Sequence, residues 1–285
     1  MNALLISTRA ELLRLRSWPS LWVMVGTWLL LNVMFVYVFN YVAYNSGDST
    51  GLTDGLSPAQ LLADMLPAAA PESVYQGMPM FGGAIMLILG ALTVGSGYGW
   101  GTWKTVYTQG PSRLAALGGT LVALAAVVVG VVVLTFGVDL TLSVLVAAAE
   151  SQDIVLPSRD AVVEGFGVGV LILGMWAACG VAVGTLARGP ALAVGLGLVW
   201  ALAVENLLRG VAGIWSPLEA LTNVLPGTAA GSLVGAMGVP AIDEPGGTPG
   251  VLGILGGGPA IGLLLGYLAA FVVLTAVMVR RRDVV

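Results

Sequence analysis

Few side chains in this sequence can do chemistry, and they fall into three groups. The first is Tyr98–Thr120, YGWGTWKTVYTQGPSRLAALGGT, which separates two long apolar runs. It holds the only lysine of the chain, Lys104, with Arg113 nearby. Trp100, Trp103 and Tyr107 stand at i, i+3 and i+7, a spacing that puts three rings on one face of a short helix over 100–110. Gly110-Pro111 ends that helix, and Pro111 suits the first position of the next. A partly basic, aromatic-faced helix of this kind either anchors a partner protein or lies in the lipid headgroup layer.

The second group is Arg9, Glu11, Arg14 and Arg16, set among leucines within residues 1–19. A helix there lies at a membrane surface, where its arginines snorkel or meet an acidic partner. The third group is Asp139, Glu205, Asn206 and Arg209, towards the ends of apolar runs. Glu205 and Arg209 are four apart and can pair locally. The sharper expectation is that all four line the outer mouth of a pathway for a cationic or polar substrate.

What the sequence lacks narrows the chemistry. Without any His it has neither the commonest general base nor the commonest metal ligand. The single Cys179 sits in an apolar run and can form neither an internal disulfide nor a thiolate metal cluster. No G-x-x-x-x-G-K-[ST] phosphate loop exists, because Lys104 follows Trp103. A membrane enzyme therefore has the least support.

The elements that must position these residues are membrane helices. Of 285 residues, 58% are hydrophobic and only 9% charged, and the mean hydropathy is +0.96. Such a chain is a polytopic membrane protein. Spans are expected at about 21–43, 80–97, 114–138, 165–187, 191–208 and 258–279, with the third helix prolonged through Leu140–Ala149. The first run is too long for the apolar region of a signal peptide. Asn45–Pro79 reads as a polar loop carrying Asp48, Asp54, Asp64 and Glu72, and Glu150–Asp160 as a second acidic loop. In 209–257, Pro217 and Pro226 break a semi-apolar stretch into partly inserted or surface helices, and Pro240–Gly257 reads as a loop.

Charge orients this layout. Arg9, Arg14, Arg16, Lys104, Arg113, Arg188 and Arg280–Arg282 fall on one face, and only Arg159 and Arg209 on the other. By the positive-inside rule both termini are cytoplasmic. Gly180 and Gly184, and likewise Gly258, Gly262 and Gly266, recur every fourth residue and serve helix packing. Gly95, Gly97, Gly99 and Gly101 weaken the end of the second span, as a hinge or as room for close packing.

On three features the chain resembles the integral membrane subunits of ABC-2-type transporters, the permeases of bacterial exporters. Glu11-Leu12-Leu13-Arg14-Leu15-Arg16-Ser17-Trp18-Pro19 is similar to the family's basic N-terminal interfacial helix. Trp100-Gly101-Thr102 through Gly110-Pro111-Ser112-Arg113 is similar to its cytoplasmic GT…PSR loop between spans two and three. The six-span layout, with an extracytoplasmic excursion before the last span, covers the rest. Two departures stand out: Gly97 or Tyr98 where the family commonly has Glu, and Thr120 where it commonly has Lys. They imply that coupling uses different contacts here, or is less tight.

The resemblance implies an all-α integral membrane fold with six transmembrane helices, an N-terminal interfacial helix, a cytoplasmic coupling helix, and extracytoplasmic re-entrant or surface helices before the last span. It implies a permease of the bacterial inner membrane, working as a dimer with a second copy or a related permease. Separate ABC ATPase subunits would bind ATP and Mg, with no cofactor on this chain. Trp100, Thr102, Trp103, Lys104, Tyr107, Pro111, Ser112 and Arg113 would form the ATPase-coupling loop. An ATPase-independent secondary transporter or channel, and a non-transporting scaffold or sensor, are the alternatives; the absence of an evident inverted repeat weighs against secondary transport.

Overall fold

The computed structural model describes residues 3–47, 53, 55–108, 110–212 and 216–281, so Asp48, Asp54 and Arg282 lie outside the described residues. Those residues form helices and connecting loops, with no strand among them. Six helices are long and apolar enough to cross a membrane: α2 (Pro19–Ser46), α4 (Pro67–Gly99), α6 (Arg113–Ala149), α7 (Arg159–Ala187), α8 (Pro190–Ala212) and α11 (Gly257–Arg281). The shorter helices are α1 (Ala3–Arg16), α3 (Pro58–Asp64), α5 (Thr102–Thr108), α9 (Ser216–Asn223) and α10 (Pro226–Ala236). A hydrocarbon layer leaves backbone groups no water to bond, which is why apolar runs of this length close their own hydrogen bonds as helices.

The α4–α7 pair forms the centre. In the apolar window of each, 67% of residues are buried, against 17% in α8 and α11 at the periphery. Glycine makes the central contact possible. A Cβ on Gly90 would strike the Ala177 carbonyl oxygen, one on Gly180 would strike that of Leu87, and one on Gly184 would lie 2.8 Å from that of Ala91. The backbones therefore touch, as small residues permit in membrane helices. Trp176 fills the space over Gly83, and Trp28 of α2 fills the space beside Gly82.

Gly180 and Gly184 thus serve packing within the chain. Gly258, Gly262 and Gly266 do not, because a Cβ on each would meet nothing within 4 Å. Gly95 and Gly99 give room to Pro190 at the start of α8, where a Cβ would lie 3.1 and 3.3 Å from it, and Gly97 gives room to the Trp103 indole. Close packing, rather than a hinge, accounts for three of the four alternate glycines. Gly101, with φ of +68°, supplies the left-handed residue that reverses the chain between α4 and α5.

Part of the expected loop 45–79 is helical. Ser57 caps α3 in a reciprocal box with Gln60, Pro58 holds its first turn, and α4 begins at Pro67 rather than Met80. Wide π-type turns interrupt the regular ladder of α4 over Met78–Gly82 and of α2 over Met34–Val38. The third long helix runs unbroken to Ala149, as the sequence suggests. Ahead of α11, the buried helix α10 is covered by the loop that follows it: Leu252 N–H donates to the Gly231 carbonyl, and Leu255 N–H donates to Ser232 Oγ.

Candidate functional site

The basic end of the bundle holds α1, α5 and the start of α6. Helix α1 packs on α6 by laying Leu4, Ser7 and Thr8 over Gly118 and Gly119, and it buries Leu15, 1% exposed. Leu5, Ile6 and Leu13 remain on its exposed side. Arg14 bonds Glu11 Oε2 at 2.8 Å and the Thr93 carbonyl of α4 at 3.0 Å, and its guanidinium lies 5.8 Å from the Trp18 ring centre. Of the helix's three arginines, Arg14 thus meets the acidic partner and joins α1 to α4, whereas Arg9 and Arg16 are exposed.

The three rings of the first group do not share a face. Helix α5 starts only at Thr102, so Trp100 falls in the turn before it and is 69% exposed. Trp103 points the other way: it is 5% exposed, and its indole N–H donates to the Val94 carbonyl at 3.0 Å. Tyr107 stacks on Trp103 with ring centres 5.6 Å apart, and burial pushes its phenol up to about 12. Trp103 is therefore an anchor of α5 in its own bundle, which removes it from any outward contact surface.

The rest of the loop is fixed from both sides. Thr102 Oγ1 donates to the Gly97 carbonyl at 3.1 Å. The Arg113 guanidinium lies 5.7 Å from the Tyr107 ring centre and donates to the Val279 carbonyl of α11 at 3.4 Å. Ser112, rather than Pro111, begins the next helix: its Oγ accepts the Ala115 N–H as N-cap, and Pro111 precedes it. Lys104 stays exposed on the outer side of α5.

At the opposite end, the four expected pathway residues are not brought to one mouth. Asp139 is fully buried between α6 and α2. Asn32 Nδ2 donates to its Oδ1 at 2.6 Å, Tyr37 donates to its backbone carbonyl at 2.9 Å, and its Oδ2 has no partner. Glu205 is also fully buried, but against α10: its Oε2 accepts the N–H of Gly227 at 2.9 Å, in the first turn of that helix. A carboxylate is favoured at a helix N-terminus, and the missing Cβ of Gly227 lets Oε2 come this close.

Arg209 makes no ion pair within 4 Å with Glu205; among the described residues that geometry occurs between Arg14 and Glu11. Arg209 instead donates to Asn206 Oδ1 at 3.0 Å and to the Glu205 backbone carbonyl at 3.3 Å. Asn206 and Arg209 border a small pocket of about 20 Å³ beside Gly227 and Trp176. The local ion pair and the shared mouth both give way to two separate buried carboxylates.

A polar opening at this end involves residues that the sequence places in a loop. A cleft of about 210 Å³ lies between the wide turn of α2, the start of α4 and the loop 238–249. Asp64, at the end of α3, and Glu72, in the early turns of α4, both line it. Partial desolvation raises the Asp64 carboxyl above its ordinary value, although the residue is exposed. Pro58 and Pro67, each in a first helical turn, and the Ser57–Gln60 box are the sequence signals for α3 and α4. No group of three or more His, Cys, Asp or Glu among the described residues could hold a metal ion.

Comparison with known proteins gives no family: no protein-family model matches the chain, and no curated protein matches it.

Proposed function

We propose that this chain is the membrane-spanning permease subunit of an ATP-driven exporter of the ABC-2 type, without a nucleotide-binding motif of its own. Two permease chains form the pathway, and cytosolic ATPase subunits holding ATP and Mg drive it. The observation that carries this reading is the docking of α5. A short helix between the second and third long helices is pinned to α4 by Trp103 and to α11 through Arg113, while Lys104 and Trp100 remain outside. A partner that pressed on Trp100 and Lys104 would act on a part already joined to the bundle, which is what a coupling element requires. The clustering of arginines at this end supports reading it as the cytoplasmic face of a bacterial inner membrane protein. On the same reading, α1 is the interfacial helix and α10 a re-entrant helix on the outer side.

Asp139 and Glu205 favour a second reading, an ATPase-independent transporter, because fully buried ionisable groups in membrane helices mark ion pathways. One experiment separates the two. The tagged chain is purified from its native membrane, bound proteins are identified, and ATP hydrolysis is assayed with and without Trp100→Ala and Lys104→Ala. Co-purification of an ABC ATPase whose turnover falls in both variants supports the permease. An ATPase-free oligomer that moves solute in liposomes refutes it.

A further inference from the structure

We propose that the outward face of α1 binds the headgroups of anionic phospholipids. The inference rests on reading α1 as an interfacial helix and is independent of the ATPase.

Helix α1 carries one pattern twice, seven residues apart: Leu5, Ile6 and Arg9, then Leu12, Leu13 and Arg16. Seven residues are close to two turns, so Arg9 and Arg16 stand in line, about 10 Å apart along the axis. Leu5 and Leu12 flank them on one side, and Ile6 and Leu13 on the other. All six are exposed, whereas the opposite face packs on α6 and buries Leu15. Neither Arg9 nor Arg16 makes a side-chain hydrogen bond or an ion pair among the described residues. Glu11, the only acid of α1, lies off this face and is held by Arg14.

The attachment points of α1 set its depth. Arg14 bonds the Thr93 carbonyl inside the end of α4 at Gly99, and Leu4 meets Gly118 inside the start of α6 at Arg113. Each point lies about 8–9 Å from that helix end at ~1.5 Å per residue. Helix α1 therefore lies beside the ends of the bundle helices and not beyond them. Trp22, 58% exposed, adjoins its last turn and donates its indole N–H to the Arg16 carbonyl at 2.8 Å. Tryptophan is enriched at the headgroup level.

A face that mixes aliphatic and cationic side chains matches a phospholipid layer. The aliphatic groups enter the acyl boundary, and the arginines snorkel to the phosphates, whose oxygens a guanidinium can bind in pairs. A zwitterionic headgroup brings its own ammonium as counter-ion. An anionic headgroup does not, and its net charge is left for Arg9 and Arg16.

The test places the purified full chain in phosphatidylcholine nanodiscs containing brominated phosphatidylglycerol or brominated phosphatidylcholine. Quenching of Trp22 is read as the difference between each chain and the same chain carrying Trp22→Phe. Brominated phosphatidylglycerol should quench at the lower mole fraction. Arg16→Gln, beside the reporter, should reduce that preference about fivefold, and Arg16→Lys should retain it. Arg9→Gln combined with Arg16→Gln should abolish it. Equal quenching by the two lipids would overturn the proposal while leaving α1 at the membrane surface, and quenching by neither would refute the interfacial reading itself. An unchanged preference in the double variant would also overturn the proposal, since the selectivity would then come from other basic residues.

Discussion

Replacing glycine by alanine at two helical positions should have opposite effects, and the difference isolates the central contact. A Cβ added to Gly195 in α8 would meet nothing within 4 Å, so Gly195→Ala should gain helix propensity of up to about 1 kcal/mol. Gly180 in α7 enjoys the same propensity gain, but its Cβ would fall on the Leu87 carbonyl oxygen and lie 2.8 Å from the Ala91 nitrogen and 2.9 Å from the Leu87 carbonyl carbon. Those are backbone atoms of α4, which no rotamer change can move aside. The two helices must separate, and overpacking of this kind costs about 1–3 kcal/mol. Because the propensity gain is common to both variants, their difference in stability equals the overpacking cost alone. At about 2–4 °C per kcal/mol, Gly180→Ala should unfold several degrees below Gly195→Ala. The assay is thermal unfolding of the purified chain in detergent, followed by size-exclusion chromatography. Equal midpoints for the two variants would refute backbone contact between α4 and α7.

Glu205→Ala should leave the Gly227 N–H without its acceptor and destabilise the start of α10 by about 1–2 kcal/mol, the worth of a helix cap. Amide exchange at Gly227 should then speed up roughly 5–30-fold, and unchanged exchange would rule out the cap. The Tyr107 phenol should ionise near pH 12 rather than near 10, because burial disfavours the phenolate. Its contribution to stability is therefore fully present below pH 10 and is lost as the pH rises from 10 towards 12. The difference in tyrosinate absorbance between the wild-type chain and Tyr107→Phe measures this directly; a transition near pH 10 would contradict the stacked, buried ring.

The long helices are legible in the sequence because run length alone specifies them, and each expected span lies inside an observed helix. Their ends are less so. The first turns of α4 carry Glu72, Ser73 and Gln76, whose polarity hides a helix that Pro67 and Pro71 open. The face expected of Trp100, Trp103 and Tyr107 presupposes one continuous helix, and the left-handed Gly101 breaks it. The alternate glycines cannot be assigned from local sequence, because what they accommodate, Pro190 and the Trp103 indole, is set by folding. The same holds for Asp139 and Glu205. Their positions near the ends of apolar runs are readable, but their partners, Asn32 and Gly227, come from other helices. The cleft beside Asp64 is out of reach for a further reason: its walls come from three separate parts of the chain.

The attachment of α5 has a mechanical consequence. Its indole is bonded to α4, and its tyrosine carries the arginine that opens α6 and touches the last turns of α11. These contacts join α5 to three long helices at the same end of the bundle. Around Gly90, Gly180 and Gly184 the backbones of α4 and α7 touch, and Trp176 packs over Gly83, whereas α11 has a largely free flank. Of the three, α4 is held on more sides, and α11 keeps more of its surface exposed.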